Sequence, residues 1–408
     1  VFDQGTLSGI QGEDDVSLST TATYDNANVG TGKTVTFAYT LANNNDGNYS
    51  APPSNTTTAN ITTRQLTVSG SDVDATKVYD GGNSANVSDQ GTLSGVQGND
   101  NVALDSTTAT YDNANVGTGK TVTFAYTLAN NNDGNYSAPP SNTTTANITA
   151  RQLTVSGSAV DATKVYDGKT SANVSSQGTL NGIQGEDNVS LDSTTATYDN
   201  ANVGTGKTVT FAYTLANNND GNYSAPPSNT TTANITARQL TVSGSDVDAT
   251  KVYDGGNSAN VSDQGTLSGV QGNDNVALDS TTATYDNANV GTGKTVTFAY
   301  TLANNNDGNY SAPPSNTTTA NITARQLTVS GSDVDATKVY DGGNSANVSD
   351  QGTLSGIQGE DDVSLSTTAT YDNANVGTGK TVTFAYTLAN NNDGNYSAPP
   401  SNTTTANI

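Results

Sequence analysis

Cysteine, histidine and methionine are absent from all 408 residues. Without cysteine there is no disulfide framework and no thiolate metal site, so the fold rests on its cores or on metal ions. Without histidine the commonest general base and transition-metal ligand is gone. Without methionine the chain reads as a processed product or an excerpt of a longer one. Basic residues are scarce: 14 Lys and Arg stand against 38 Asp and Glu, for a net charge of −24. Nucleic acid is therefore a poor partner, whereas divalent cations, and surfaces bridged by them, are plausible ones. No apolar run reaches the length of a membrane span, and no signal peptide is present. With no acidic pair standing out from the background either, an enzyme is the least supported class.

What is present is a palette for strands and turns. Hydrophobic residues make up 32% of the chain, which is low for a compact domain. Tyr (19) and Gly (41) are plentiful, and Thr, Asn, Ser and Asp fill most of the rest. Low hydrophobicity with high net charge is also the signature of disorder, but the apolar residues here alternate in strand-like runs.

Self-comparison sets the organisation. Arg-Gln-Leu-Thr-Val-Ser-Gly begins at Arg64, Arg151, Arg238 and Arg325, 87 residues apart each time. This divides the chain into a partial repeat at 1–63, repeats at 64–150, 151–237 and 238–324, and a nearly complete one at 325–408. Val1 aligns with Val87, so the first copy lacks its opening strands. The third differs at a few positions, such as Ala159 where others carry Asp72 and Asp246.

Within one copy the alternation predicts strands at Leu66–Val68, Lys77–Tyr79, Ala85–Val87, Val102–Leu104, Thr108–Tyr111, Thr121–Leu128 and Thr143–Thr149. In Thr121–Leu128, Val122, Phe124, Tyr126 and Leu128 face one way and Thr121, Thr123, Ala125 and Thr127 the other. Asp-Gly, Gly-Thr-Gly, Asn-Asp-Gly-Asn and Pro-Pro separate these runs as turns. Tyr79, Tyr111, Tyr126 and Tyr136 are expected to supply much of a small core, hydroxyls at its rim. The expectation is all-β: tandem immunoglobulin-like β-sandwich repeats. The junction Ile148-Thr149-Ala150-Arg151-Gln152-Leu153 has no Gly, Pro or Ser-rich spacer, so a rigid rod is expected, roughly 30–40 Å per unit by compact-domain scaling.

The motifs run in a fixed order. Lys77-Val78-Tyr79-Asp80-Gly81 comes first, then Gly91-Thr92-Leu93-Ser94-Gly95, Asp100-Asn101-Val102 and Val116-Gly117-Thr118-Gly119-Lys120. Gly134-Asn135-Tyr136 and Ala146-Asn147-Ile148-Thr149 close the copy. This order resembles the YDG-type, mostly-beta glycine-rich repeat domains of large bacterial surface adhesins of the filamentous haemagglutinin-like kind. The resemblance covers nearly the whole chain. It implies a secreted, cell-surface protein in which such domains form a stalk, and it carries no catalytic residues to transfer.

Several motifs invite a chemical reading. Gly117-Thr118-Gly119-Lys120-Thr121 looks like the tail of a P-loop, but Ala114 stands where that loop needs Gly, and a strand follows instead of a helix; a Gly-rich turn is the expectation. Asn131-Asn132-Asp133-Gly134-Asn135 is no EF-hand, because Ala129 and Pro140 occupy its terminal ligand positions. Asp72, Asp74, Asp100 and Asp133 are candidates for a Ca²⁺ site at the domain joints, weighed against plain solubilising turn residues. Lys77 and Lys120 are weighed for isopeptide bonds, against the usual exposure of lysine. Asn135-Tyr136-Ser137 is a glycosylation sequon, as are those starting at Asn86, Asn142 and Asn147.

The leading functional expectation is a structural spacer in a bacterial surface adhesin or fibre. An alternative is a filament subunit polymerising with other copies of itself by strand complementation, through a groove left open before Val1. A third is binding of carbohydrate, including host or matrix glycans, or of ice, through the threonine ladders of Thr121–Thr127 and Thr143–Thr149.

Overall fold

The computed structural model describes residues 3–305, 307–391 and 393–408. All its regular structure is β, and the described residues contain no helix. The expected groove beside Val1 falls outside the described residues. By its contacts the chain forms two compact units, and the division runs through the third repeat. One unit holds the chain up to Ala159 with Ser176–Thr194 and Ala212–Ser228; the other holds Val160–Ser175, Thr195–Phe211 and Asn229–Ile408.

The second repeat, within the first unit, shows the pattern in full. Its strands are β1 (Arg64–Gln65), β2 (Thr67–Ser69), β3 (Asp72–Val73), β4 (Thr76–Val78), β5 (Ser84–Ala85) and β6 (Val87–Asp89). They continue with β7 (Thr92–Ser94), β8 (Ala103–Tyr111), β9 (Gly117–Ala129), β10 (Tyr136–Ser137) and β11 (Thr143–Thr149). One five-stranded sheet has the order β4-β11-β9-β8-β5. Three two-stranded ladders, β1 with β10, β2 with β7 and β3 with β6, complete the repeat as separate pairs. Bulges at Leu104/Ser106, Gly117/Lys120 and Asp72/Val73 break the registers locally.

The alternation in β9 holds: Val122, Phe124 and Tyr126 are buried, and Thr121, Thr123, Ala125 and Thr127 are exposed. Strand pairing extends this to a face. Thr110 lies opposite Thr123, which lies opposite Thr143; Thr121 lies opposite Thr145. β-Branched side chains suit such a pleated surface. On the inner side, Val122, Phe124, Tyr126, Ala109, Tyr111, Ala146 and Ile148 pack with Val73 of β3, and Val68 and Val87 of the ladders join at the margin.

The predicted Gly117–Thr121 turn is instead a bulge opening the long strand β9. Gly119 takes a φ of 61°, its N–H donates to Asn147 Oδ1 at 2.8 Å, and the Lys120 side chain folds back over Gly117.

In the second unit, the fourth repeat repeats the five-stranded order with Thr250–Val252, Thr317–Thr323, Gly291–Ala303, Ala277–Tyr285 and Ser258–Ala259. Among the described residues the first repeat, in the first unit, has three strands: Ser17–Tyr24, Gly30–Ala42 and Asn55–Ile61. Its Tyr24 is exposed where Tyr111 is buried.

Candidate functional site at the joints between repeats

The Tyr-Asp-Gly sequence of each copy acquires a role at the boundary with the next. In the first unit, β4 runs parallel to β11, and Tyr79 follows its last residue with its N–H donating to Thr149 O at 2.9 Å. This aims the Tyr79 ring at the third repeat, where it meets the Tyr223 ring edge-on, centroids 5.3 Å apart and planes at 78°. Both hydroxyls donate to one oxygen, Asp187 Oδ2, at 2.8 Å from Tyr79 and 2.5 Å from Tyr223. The backbone N–H of Gln184 donates to the Tyr223 hydroxyl at 2.9 Å. Burial, then the bond to Asp187, pushes the Tyr79 hydroxyl up to about 12, and Tyr223 is raised for the same reasons.

Asp80 and Gly81 make the approach possible. Asp80 Oδ1 accepts from the Gly82 N–H at 2.9 Å and pairs with Lys77 Nζ at 2.7 Å, so Lys77 draws its carboxyl below the usual range against the opposing effect of burial. Gly81 has a φ of 79°, and a Cβ there would sit 3.6 Å from Gln184 Cβ of the next repeat. Left-handed backbone and close approach both favour glycine.

A second clasp lies beside the tyrosines. Asn222 of the third repeat is 7% exposed. Its Oδ1 accepts from the Val116 N–H at 2.8 Å, and its Nδ2 donates to Asn115 Oδ1 at 3.1 Å. The third repeat also extends the core of the second: Leu153, fully buried, joins Tyr79, Val122 and Ile148, together with Val189 and Tyr223.

The second unit contains the same joint twice. Tyr166 meets Tyr310 at 5.2 Å and 79° and donates to Asp274 Oδ2 at 2.8 Å. Tyr253 meets Tyr396 at 5.3 Å and 80° and donates to Asp361 Oδ2 at 2.8 Å. Asn309 and Asn395 take the Asn222 role toward Val203 and Val290.

The four aspartates proposed as calcium ligands do not converge. Asp100 and Asp133 line one cavity of about 620 Å³ with Asn131, Asn135 and Tyr136, and neither Asp72 nor Asp74 lines it. Asp72 Oδ1 caps the Val73 N–H at 2.9 Å, and Asp74 Oδ2 accepts from Asn86 Nδ2 at 2.6 Å. Asp100 Oδ2 accepts the Tyr136 hydroxyl. Among the described residues no group of three or more acidic side chains is placed to hold a metal ion.

Asn135 belongs to the clasp between the first and second repeats. Its Oδ1 accepts from the Val29 N–H at 2.7 Å and its Nδ2 donates to Asn28 Oδ1 at 3.1 Å. A glycan on that nitrogen replaces one of its two N–H groups beside Asn28. The sequence pointed to Asn135 as a sequon and missed its part in the joint; its recurrence before Tyr136 in every copy was the available signal.

Neither lysine is exposed as expected. Lys120 keeps 9% of its side-chain exposure and Lys77 keeps 14%. Lys120 Nζ pairs with Asp112 Oδ1 at 2.9 Å and donates to Asn113 Oδ1 at 2.8 Å. The bond from Lys120 holds the Asp112 carboxyl below its usual range. Lys120 Nζ thus sits between a carboxylate and an amide oxygen.

Comparison with known proteins agrees with the repeat pattern. The family model described as the YDG domain matches residues 2–59, 62–146, 149–233, 236–320 and 323–406. No curated protein matches. Among solved structures, surface layer protein SbsC, domains 4–9, aligns over 98% of this chain and 74% of its own, at 12% identity and a TM-score of 0.17.

Proposed function

We propose a structural role for this chain, which belongs to the YDG domain family: it is the repeat region of a bacterial extracellular surface protein, a stiff stalk in an adhesin or fibre. The observation that carries this reading is the joint. Leu153 follows the boundary by two residues yet lies in one core with Tyr79 and Ile148 of the preceding repeat, and Tyr79, Tyr223 and Asp187 close over it. Flexible linkers keep their domains' cores apart; a shared core with bonded rims suits a spacer that must hold its direction.

Small-angle scattering of the full chain tests the stalk. One compact body of 408 residues has a radius of gyration of roughly 22 Å. A stalk gives a value well above that, with a cross-section of one repeat, and a value near the compact one overturns the reading.

A second reading has an observation of its own. The rows Thr110–Thr123–Thr143 and Thr121–Thr145 form an uncharged hydroxyl-bearing face in a strongly acidic chain. It suits a neutral polysaccharide. Co-sedimentation with insoluble neutral polysaccharides, lost on replacing Thr123 and Thr145 by Lys, supports it; no co-sedimentation removes it.

A further inference from the structure

The second repeat contains two parallel pairings, and both connect the leading part of the repeat with its trailing part. β1 pairs with β10, Arg64 opposite Tyr136 and Gln65 opposite Ser137. β4 pairs with β11, Thr76 opposite Asn147, Lys77 opposite Ile148 and Val78 opposite Thr149. The repeat's other pairings are antiparallel. The fourth repeat, in the other unit, has the same two: Arg238–Gln239 beside Tyr310–Ser311, and Thr250–Val252 beside Thr317–Thr323.

Direction matters when a chain is pulled. Tension along the chain draws β1 and β4 by their N-terminal ends and β10 and β11 by their C-terminal ends. Parallel neighbours loaded that way slide past each other. Their bonds carry the load together and must break together. An antiparallel hairpin pulled at its two free ends opens one bond at a time.

The bonds stand where sliding strains them. Arg64 N–H donates to Asn135 O at 2.9 Å and Leu66 N–H to Ser137 O at 3.1 Å; Asn147 N–H donates to Ala75 O at 3.0 Å and Tyr79 N–H to Thr149 O at 2.9 Å. Side chains reinforce both ladders, with Gln65 Nε2 donating to Ala138 O and Thr149 Oγ1 to Lys77 O at 3.2 Å. The load then passes on without slack: two residues after Thr149, the Arg151 N–H donates to Asn222 O at 3.0 Å.

We propose that each complete repeat is a shear clamp, resisting tension along the chain through the β1–β10 and β4–β11 ladders. This deepens the structural role proposed above and rests on it.

Single-molecule pulling tests the clamp, and the cysteine-free sequence allows handles on introduced cysteines. The full chain is first held by its two ends. It is then held through Ala75→Cys and Thr145→Cys, kept reduced until coupled. These exposed positions lie nearly opposite across β4 and β11, so force there peels the ladder open. Forced unfolding reports the barrier, not the equilibrium stability. End-to-end pulling is expected to unfold complete repeats at several-fold higher force than peeling. Each end-to-end step should release roughly 290–310 Å of chain, less the folded span, for 87 residues at full extension, and the peeling step roughly 230–250 Å for the 70 or so residues between the handles. Steps of these two lengths at equal force in both geometries overturn the clamp and leave the structural array standing. Extension without discrete steps overturns both.

Discussion

Tyr79 donates its hydroxyl to Asp187 at 2.8 Å, across a repeat boundary and 108 residues along the chain. The same oxygen receives Tyr223 from its own repeat. One carboxylate therefore holds two rings from different copies in edge-on contact, above a core that already includes Leu153. Adjacent copies share a core and a closed rim, so their stabilities are coupled as nearest-neighbour terms.

Tyr79 and Tyr340 are equivalent by sequence but differ in surroundings: 5% exposed against 59%. Tyr79→Ala removes a buried ring and is expected to cost about 3–5 kcal/mol, as aromatic truncations in cores do. Tyr79→Phe removes only the hydroxyl's bond and should cost about 0.5–1.5 kcal/mol. Tyr340→Ala should stay within about 0.5 kcal/mol, the range of surface changes. Denaturant melts of the three variants check the order, and equal costs at Tyr79 and Tyr340 would show that the joint contributes nothing.

The joint tyrosines also make the fold sensitive to alkali. Burial, then the bonds to Asp187, Asp274 and Asp361, push Tyr79, Tyr166 and Tyr253 up to about 12. An unfolded tyrosine ionises near 10. The folded state thus holds these protons more tightly, and their stabilisation is complete below pH 10 and lost as pH climbs from 10 toward 12. Thermal midpoints should fall across that window. The triple variant Tyr79→Phe, Tyr166→Phe, Tyr253→Phe should begin lower and fall less steeply; parallel slopes would refute the assignment.

Much of this was legible in the sequence where the signal is local. The strict alternation of Val122, Phe124 and Tyr126 with threonines identified β9 and its inner face. The four tyrosines were read as core residues, and Tyr79, Tyr111, Tyr126 and Tyr136 are all buried. The strands β1 and β10 were not legible: each has two residues, too few for any period, and their pairing joins positions 72 apart. Nor was the meeting of Tyr79 with Asp187, since composition shows an aspartate in a turn but not which ring the next repeat delivers to it. The lysines misled because their ammonium groups turn inward onto Asp80 and Asp112, contrary to the habit of the residue type.

Asn222 offers a test of modification against structure. Its side chain is buried and closes the joint through Val116 and Asn115. Asn222→Ala leaves the Val116 N–H without its acceptor and is expected to cost about 1–3 kcal/mol. Enzymes that glycosylate folded protein should likewise leave Asn222, Asn309 and Asn395 unmodified. Site-resolved mass spectrometry of chain from a glycosylating host checks this, and full occupancy at Asn222 with an unchanged melt would show that the clasp is dispensable.

Leu153 separates a shared core from a string of independent domains. It lies two residues into the third repeat, is fully buried, and packs with Tyr79, Val122 and Ile148 of the second as well as Val189 and Tyr223 of the third. Leu153→Ala leaves a cavity between the copies at a cost of about 2–5 kcal/mol. Because the cavity borders both, amide hydrogen exchange should rise in peptides from β9 and β11 of the second repeat and in those around Val189 and Tyr223 of the third. Independent domains would confine the change to residues after Arg151. Faster exchange in Thr143–Thr149 is therefore the deciding signal, and its absence would mean that the copies are joined in sequence but not in stability.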